Sequence, residues 1–231
     1  MKSFHLFIFS FMIYGSTYGQ SQHEGYELVF EENFESYQAI SHFRMTDDKA
    51  WQIIETPNGK VLELSQQSQY SPRFRSPFNI AIVNSPEVGS FIMEIDLQQT
   101  GREYGHRDLC LIFGAQNPEN FYYTHIASVP DPHAHNIFLV NNEERKAIAT
   151  KINNGIDWGT TDSWHHIKII RDLESGSIEV YFDDMEQPIM VASDLHFGFG
   201  KIGLGSFDDT GRYDNLKIWT KKNEEAPKPF F

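Results

Sequence analysis

Apolar residues in this chain recur at every second position, in short runs divided by turn-forming residues. That spacing restricts the fold more than any other feature. The runs are "YELVF", "WQIIE", "KVLEL", "NIAIV", "SFIMEIDLQQ", "DLCLIFG", "NFYYTHIA", "HNIFLV", "HHIKIIR", "SIEVYFD", "PIMVA", "KIGLGSF" and "DNLKIW". Between them stand "TPNGK", "VPDPH", "NNGID" and "LESGS", whose Asn, Gly, Pro and Asp suit tight turns. Successive side chains of a strand point to opposite faces, so period two buries one face and leaves the other polar. No segment keeps a helical period for three turns. The chain therefore reads as all-β, a two-sheet antiparallel sandwich of meanders and Greek keys. By parity, Phe91, Met93, Ile95 and Leu97 share a core face opposite Glu94, Asp96 and Gln98. Ile178, Val180 and Phe182 likewise oppose Glu179, Tyr181 and Asp183.

The first residues, "MKSFHLFIFSFMIYGSTYGQ", have the form of a secretory signal: Lys2, an apolar stretch from Leu6 to Tyr14, then Thr17 and Gly19 before the expected cleavage. No cysteine follows that could carry a lipid anchor, and no later stretch is apolar enough to insert into a membrane, so a periplasmic or secreted protein is expected. Residues 20–220 then form one sandwich domain, and 221–231 a polar surface tail. Acidic residues number 32 against 19 lysines and arginines, a net charge of −13. Such a surface argues against nucleic acid as partner, which needs a basic footprint. An anionic ligand would require a local group of cations. The single cysteine, Cys110, allows no intrachain disulfide and reads as a small buried hydrophobe. Oligomeric state is not legible.

The final third, "SWHHIKIIRDLESGSIEVYFDD" followed by "KIGLGSFDDTGRYDNLKIW", resembles the concanavalin A-like lectin/glucanase superfamily. It is similar in particular to laminin-G-like and 3-keto-disaccharide-hydrolase-like secreted bacterial domains. "LVFEENFE" matches where such domains begin. The resemblance implies a jelly roll with one concave sheet that binds or cleaves carbohydrate. It also implies a structural calcium ion near the first and last strands, at Glu31 or Glu35 and Asp214, since Ca²⁺ takes six to eight oxygen ligands. The glutamate pair of jelly-roll glucanases is not present.

Chemistry concentrates in "ENFYYTHIASVPDPHAHNIFLVNNEERK" and the preceding "GREYGHRDLC". Parity places Tyr123 and His125 together, with Tyr122, Thr124 and Ile126 on the other face; His135 returns across the loop, and His106 stands before the next strand. These four, Tyr123, His125, His135 and His106, are the catalytic candidates: histidine exchanges protons near neutral pH, and a phenolate is favoured by nearby positive charge. Arg107, Arg145, Tyr122, Asn136 and His133 are the substrate-binding candidates, because arginine clamps a carboxylate through two parallel hydrogen bonds. The set suits proton abstraction beside a uronate carboxylate, and its composition resembles that of jelly-roll polysaccharide lyases and related dehydratases. The expected partner is an acidic oligosaccharide or polysaccharide, and the expected reaction an elimination giving an unsaturated uronate. Two alternatives stand beside it. One is a non-catalytic carbohydrate-binding module; the other is a hydrolase using carboxylates among Glu94, Asp96, Glu179 and Asp183. A zinc site joining His125 and His135 to His106 or Asp108 has no ligand spacing in its favour. His165, His166, Lys168 and Arg171 read as a solvated sheet face.

Overall fold

A computed structural model describes residues 23–226 of the chain; residues 1–22, which include the expected signal segment, and residues 227–231 lie outside them. Sixteen strands account for about half of the described residues. They are β1 (Tyr26–Glu32), β2 (Phe43–Met45), β3 (Trp51–Thr56), β4 (Gly59–Leu64), β5 (Asn79–Val83) and β6 (Phe91–Gln99). Next come β7 (Asp108–Asn117), β8 (Asn120–Ala127), β9 (Asn136–Asn141), β10 (Lys146–Ala147) and β11 (Ala149–Ile152). The last are β12 (Trp164–Arg171), β13 (Ser177–Phe182), β14 (Met190–Ser193), β15 (Lys201–Ser206) and β16 (Gly211–Lys221). No helix among them is long and apolar enough to cross a membrane.

Two antiparallel sheets face each other. The nine-stranded sheet runs β11-β14-β13-β12-β6-β16-β4-β3, with β1 also on β16. The seven-stranded sheet runs β10-β9-β8-β7-β15-β5-β2. Strand β16 pairs with β6 along one edge and with both β4 and β1 along the other, because it is long and bulged. Gly211–Tyr213 pair with β4 and Leu216–Lys221 with β1, and the register shifts between Asp214 and Lys217, where Asn215 takes φ 52°. The architecture is the two-sheet jelly-roll sandwich expected from the sequence.

The inter-sheet core follows parity. Phe91, Met93, Ile95 and Leu97 of β6 are fully buried against Leu109, Leu111 and Phe113 of β7 and Ile202 and Leu204 of β15. Arg171 departs from its expected solvated face. It is fully buried, its guanidinium 4.9 Å from the Tyr122 ring centre, and it donates to the carbonyls of Phe197 and Gly198. The position shares the core-facing side of β12 with Ile167 and Ile169, so a cation enters the core and is tolerated through loop carbonyls and ring faces. The segment read as a surface tail is also partly tied down: β16 includes Lys221, and Glu224 accepts hydrogen bonds from the Ser90 amide and hydroxyl.

Candidate functional site

The face of the seven-stranded sheet turned away from the core is itself largely apolar, which is unusual for a surface. Alternation along β5, β7, β8 and β9 sends Ile80, Cys110, Ile112, Phe121, Tyr123, Phe138 and Val140 to this face, where they form a second buried cluster with Phe207. Strand β15 crosses the middle of it. Its "KIGLGS" alternates Ile202 and Leu204 into the core with Gly203 and Gly205 on the outer face. The two glycines let neighbours lie close over the strand. A Cβ at Gly205 would stand 2.4 Å from the Asn79 carbonyl oxygen, and one at Gly203 would stand 2.8 Å from Ile82 Cδ1.

Over this floor lies a groove of about 510 Å³. Ile80, Ile82, Ile112 and Phe121 form its base. Arg44, placed opposite Ile82 in the β2–β5 pairing, and Lys201, opposite Ala115 in the β15–β7 pairing, bring positive charge to its walls. Tyr70, Glu87, Gln116 and Asn117 complete them. Lys201 is steadied by donating to the Ser85 carbonyl at 2.7 Å. Glu87 is the single carboxylate among the lining residues, and no histidine is among them.

The β8–β9 end of the same face is filled. Tyr123 is fully buried, stacked on Phe138 at 5.1 Å, and its hydroxyl accepts from Arg145 Nη1 at 2.8 Å. The Arg145 guanidinium lies between Phe138 and Phe207, 4.8 and 4.9 Å from their ring centres. Burial pushes the Tyr123 phenol far above its ordinary range, although Arg145 pulls the other way. His125 stacks on Phe207 at 4.9 Å and turns Nδ1 to the His133 carbonyl at 3.0 Å. Beneath it are Asp108 and Cys110, and burial followed by the charge of Asp108 raises the Cys110 thiol.

The structure thus brings together Tyr123, His125 and Arg145 and disperses the other sequence candidates. His135 is fully buried with φ 54°; it accepts from the Ala127 amide through Nδ1 and donates Nε2–H to Asn153 Oδ1. Burial holds its pKa below the usual value. His106 is exposed and paired with Asp131 at 2.6 Å. The exposed His133 touches His125 only through its backbone carbonyl. Arg107 is buried and spends its guanidinium on Gln99 Oε1, the Gln99 carbonyl and the Gly159 carbonyl. Tyr122 lies in the inter-sheet core with its hydroxyl on Asp194. Asn136 accepts from the Ala149 amide. Their hydrogen bonds are those of a structural network.

The carboxylates expected to hold calcium, Glu31 or Glu35 with Asp214, each have a protein partner. Glu31 is ion-paired with Lys217 at 3.2 Å, Glu35 accepts from the Lys60 amide, and Asp214 accepts from the Asn215 amide. Glu35 lies near enough to Asp214 for its charge to help raise that carboxyl. The hydrolase candidates sit on the outer face of the nine-stranded sheet, away from the groove. Asp96 is bound to His166 at 2.7 Å, Asp183 to His165 at 2.8 Å, Glu179 to Tyr181, and Glu94 to His23.

No protein-family model and no curated protein matches the sequence. Solved structures match the fold. The carbohydrate-binding module CBM66 from Bacillus subtilis superposes with TM-score 0.53 at 18% identity, covering 77% of this chain and 94% of that one. A protein of unknown function with a galectin-like fold from Bacillus subtilis gives 0.55 at 14% identity, covering 85% and 100%. Xylan β-1,4-xylosidase from Bacillus halodurans gives 0.56 at 13% identity, covering 81% of this chain and 38% of that chain. The chain is a lectin-like jelly roll in architecture.

Proposed function

We propose that this protein binds carbohydrate in the groove over its seven-stranded sheet, as a lectin-like module that favours uronate-bearing chains. The observation that carries the reading is the groove: an apolar base of three isoleucines and Phe121 beneath walls that offer Arg44, Lys201, Gln116 and Asn117. A sugar ring has an apolar face of C–H bonds and an equator of hydroxyls, and a base and walls of this kind match both. Two cations against the single carboxylate of Glu87 give the groove a local positive balance on a chain of net charge −13. A uronate carboxylate would find its partners there. That a carbohydrate-binding module and a xylosidase share the architecture supports the ligand class.

Binding is favoured over cleavage by what the groove lacks among its lining residues. Hydrolysis of a glycosidic bond uses two carboxyl groups about 5–10 Å apart, and the lining offers one. Elimination needs an accessible base beside the uronate, and Tyr123 and His125 are both covered. Calorimetric titration with a panel of acidic and neutral oligosaccharides tests the proposal. Heat of binding that is strongest for uronate-containing chains, with ligand mass unchanged, is expected. No binding across the panel would overturn it. An ultraviolet-absorbing unsaturated product would replace it with the lyase or dehydratase reading.

A further inference from the structure

Asp108, Cys110 and His125 present three different metal-ligating atoms to one point inside the filled end of the sheet. Residues 108 and 110 lie two apart on β7, so they share a face, and the β7–β8 register places Cys110 directly opposite His125. Asp108 Oδ2 lies 3.3 Å from Cys110 Sγ and 3.3 Å from His125 Nε2, and the three ligand atoms fall within 4.8 Å of one another. In a tetrahedral site with bonds of about 2.0–2.3 Å, neighbouring ligand atoms stand about 3.3–3.6 Å apart. The two measured edges have that length already.

The second observation is the state of His125. The residue is 5% exposed, and its Nδ1 is committed to the His133 carbonyl. Nε2 is buried and has no hydrogen-bond partner, because the nearby Asp108 oxygen lies off the donor direction. A histidine whose Nδ1–H is fixed by a backbone carbonyl has its Nε2 lone pair aimed and available, the arrangement found around metal-bound imidazoles. An orphaned ring nitrogen within reach of a thiol and a carboxylate is costly unless something fills the gap. Asp208, which is exposed, and Asp209 bring carboxylate oxygens within 4.8 Å of Asp108 and give a cation an acidic approach from the surface.

From this geometry we infer a site for a transition-metal divalent cation, with Asp108 Oδ2, Cys110 Sγ and His125 Nε2 as ligands. Mixed sulfur, nitrogen and oxygen donors suit Zn²⁺ or Co²⁺ and do not suit Ca²⁺. The site is separate from the groove and does not depend on the carbohydrate reading. Its role is to lock β7 to β8 beneath Phe207.

Cobalt reports it directly. Cys110 is the only cysteine of the chain, so any thiolate-to-cobalt charge-transfer band must come from this site. The reduced full-length protein titrated with Co²⁺ is expected to develop that band at one equivalent, to lose it on adding Zn²⁺, and to melt at higher temperature with Zn²⁺ present. C110S should abolish the band, and H125Q should weaken zinc binding by more than about tenfold. H166A, which removes a surface histidine, should leave both unchanged. Absence of the band in the wild-type protein overturns the inference even if C110S fails to fold. So does zinc affinity that survives in a folded C110S.

Discussion

One sheet face carries two regions built from the same strands and opposite in character. Toward β2, β5 and β15 it is an open groove with an isoleucine base. Toward β8 and β9 it is packed shut by Tyr123, Phe138, Phe207 and Arg145. The difference comes from what each strand supplies at its outward positions. Strand β15 gives glycine twice, so that Ile82 and the Asn79 backbone lie close over it, while the loop after it gives Phe207, which closes over β8. Residue types that look catalytic in a list thus became part of a plug, and the space for a ligand lies where the sequence offers plain isoleucines.

The comparison is open to attack from both ends. Gly205→Val should have the largest effect, since its Cβ would meet the Asn79 carbonyl at 2.4 Å and stand 3.0 Å from Cδ1 of Ile112, displacing a residue of the groove base. A loss on the order of 3 kcal/mol of stability is expected in urea unfolding, with saccharide binding abolished. Next, Arg145→Met should strip the buried Tyr123 hydroxyl of its partner and remove the cation between two rings, costing about 2–3 kcal/mol. Its saccharide affinity should stay within about twofold of wild type. If affinity collapsed while stability held, the filled end would belong to the site and the contrast would fail. Arg44→Ala should do the reverse, weakening uronate binding about tenfold, the scale of one charge-assisted hydrogen bond, with stability almost unmoved. Neutral oligosaccharides should lose less.

The smallest effect concerns the opposite sheet. Burial, aided by the charges of Asp96 and Glu35, raises the Asp214 carboxyl to about 6 from an ordinary value of 3.8. The folded state therefore holds this proton more tightly than the unfolded one, and stability should fall as pH rises from about 4 to about 6. Asp214→Asn keeps an acceptor for the Asn215 amide and should flatten that slope in thermal melts. His166 acts with the same sign higher up: its hydrogen bond to Asp96 raises its pKa, so its contribution is full below the ordinary histidine value and is lost as pH rises through the raised one. His135, held neutral by burial, opposes it, losing stability as pH falls.

Much of the fold could be read directly from residues. "NFYYTHIA" is β8 residue for residue, and the parity that joined Tyr123 to His125 and set Tyr122 and Ile126 in the core is the parity observed. What could not be read is that the outward face is itself covered, because Phe207 arrives from beyond β15 and Arg145 from beyond β9. The groove walls were missed for the same reason. Arg44, Tyr70, Glu87 and Lys201 come from four distant segments and carry no local pattern. One signal was available: the glycines alternating with core residues in "KIGLGS" mark a strand that its neighbours approach closely on one side. The Asp-x-Cys spacing of β7 was equally visible, but its value depended on a register that seats His125 opposite Cys110.

By itself the sequence determined the alternation, and with it the sandwich and the residues that share each face, while the short strands β2, β10 and β11 had no run to announce them. The alternation and the shared faces follow from local period and turn chemistry, which act over a few residues. Tertiary structure alone decided which outward face is open, which histidines are satisfied and which ring nitrogen is left without a partner. Those outcomes depend on contacts between residues far apart in the chain, and a strand's own pattern records which way a side chain points but not what comes to meet it.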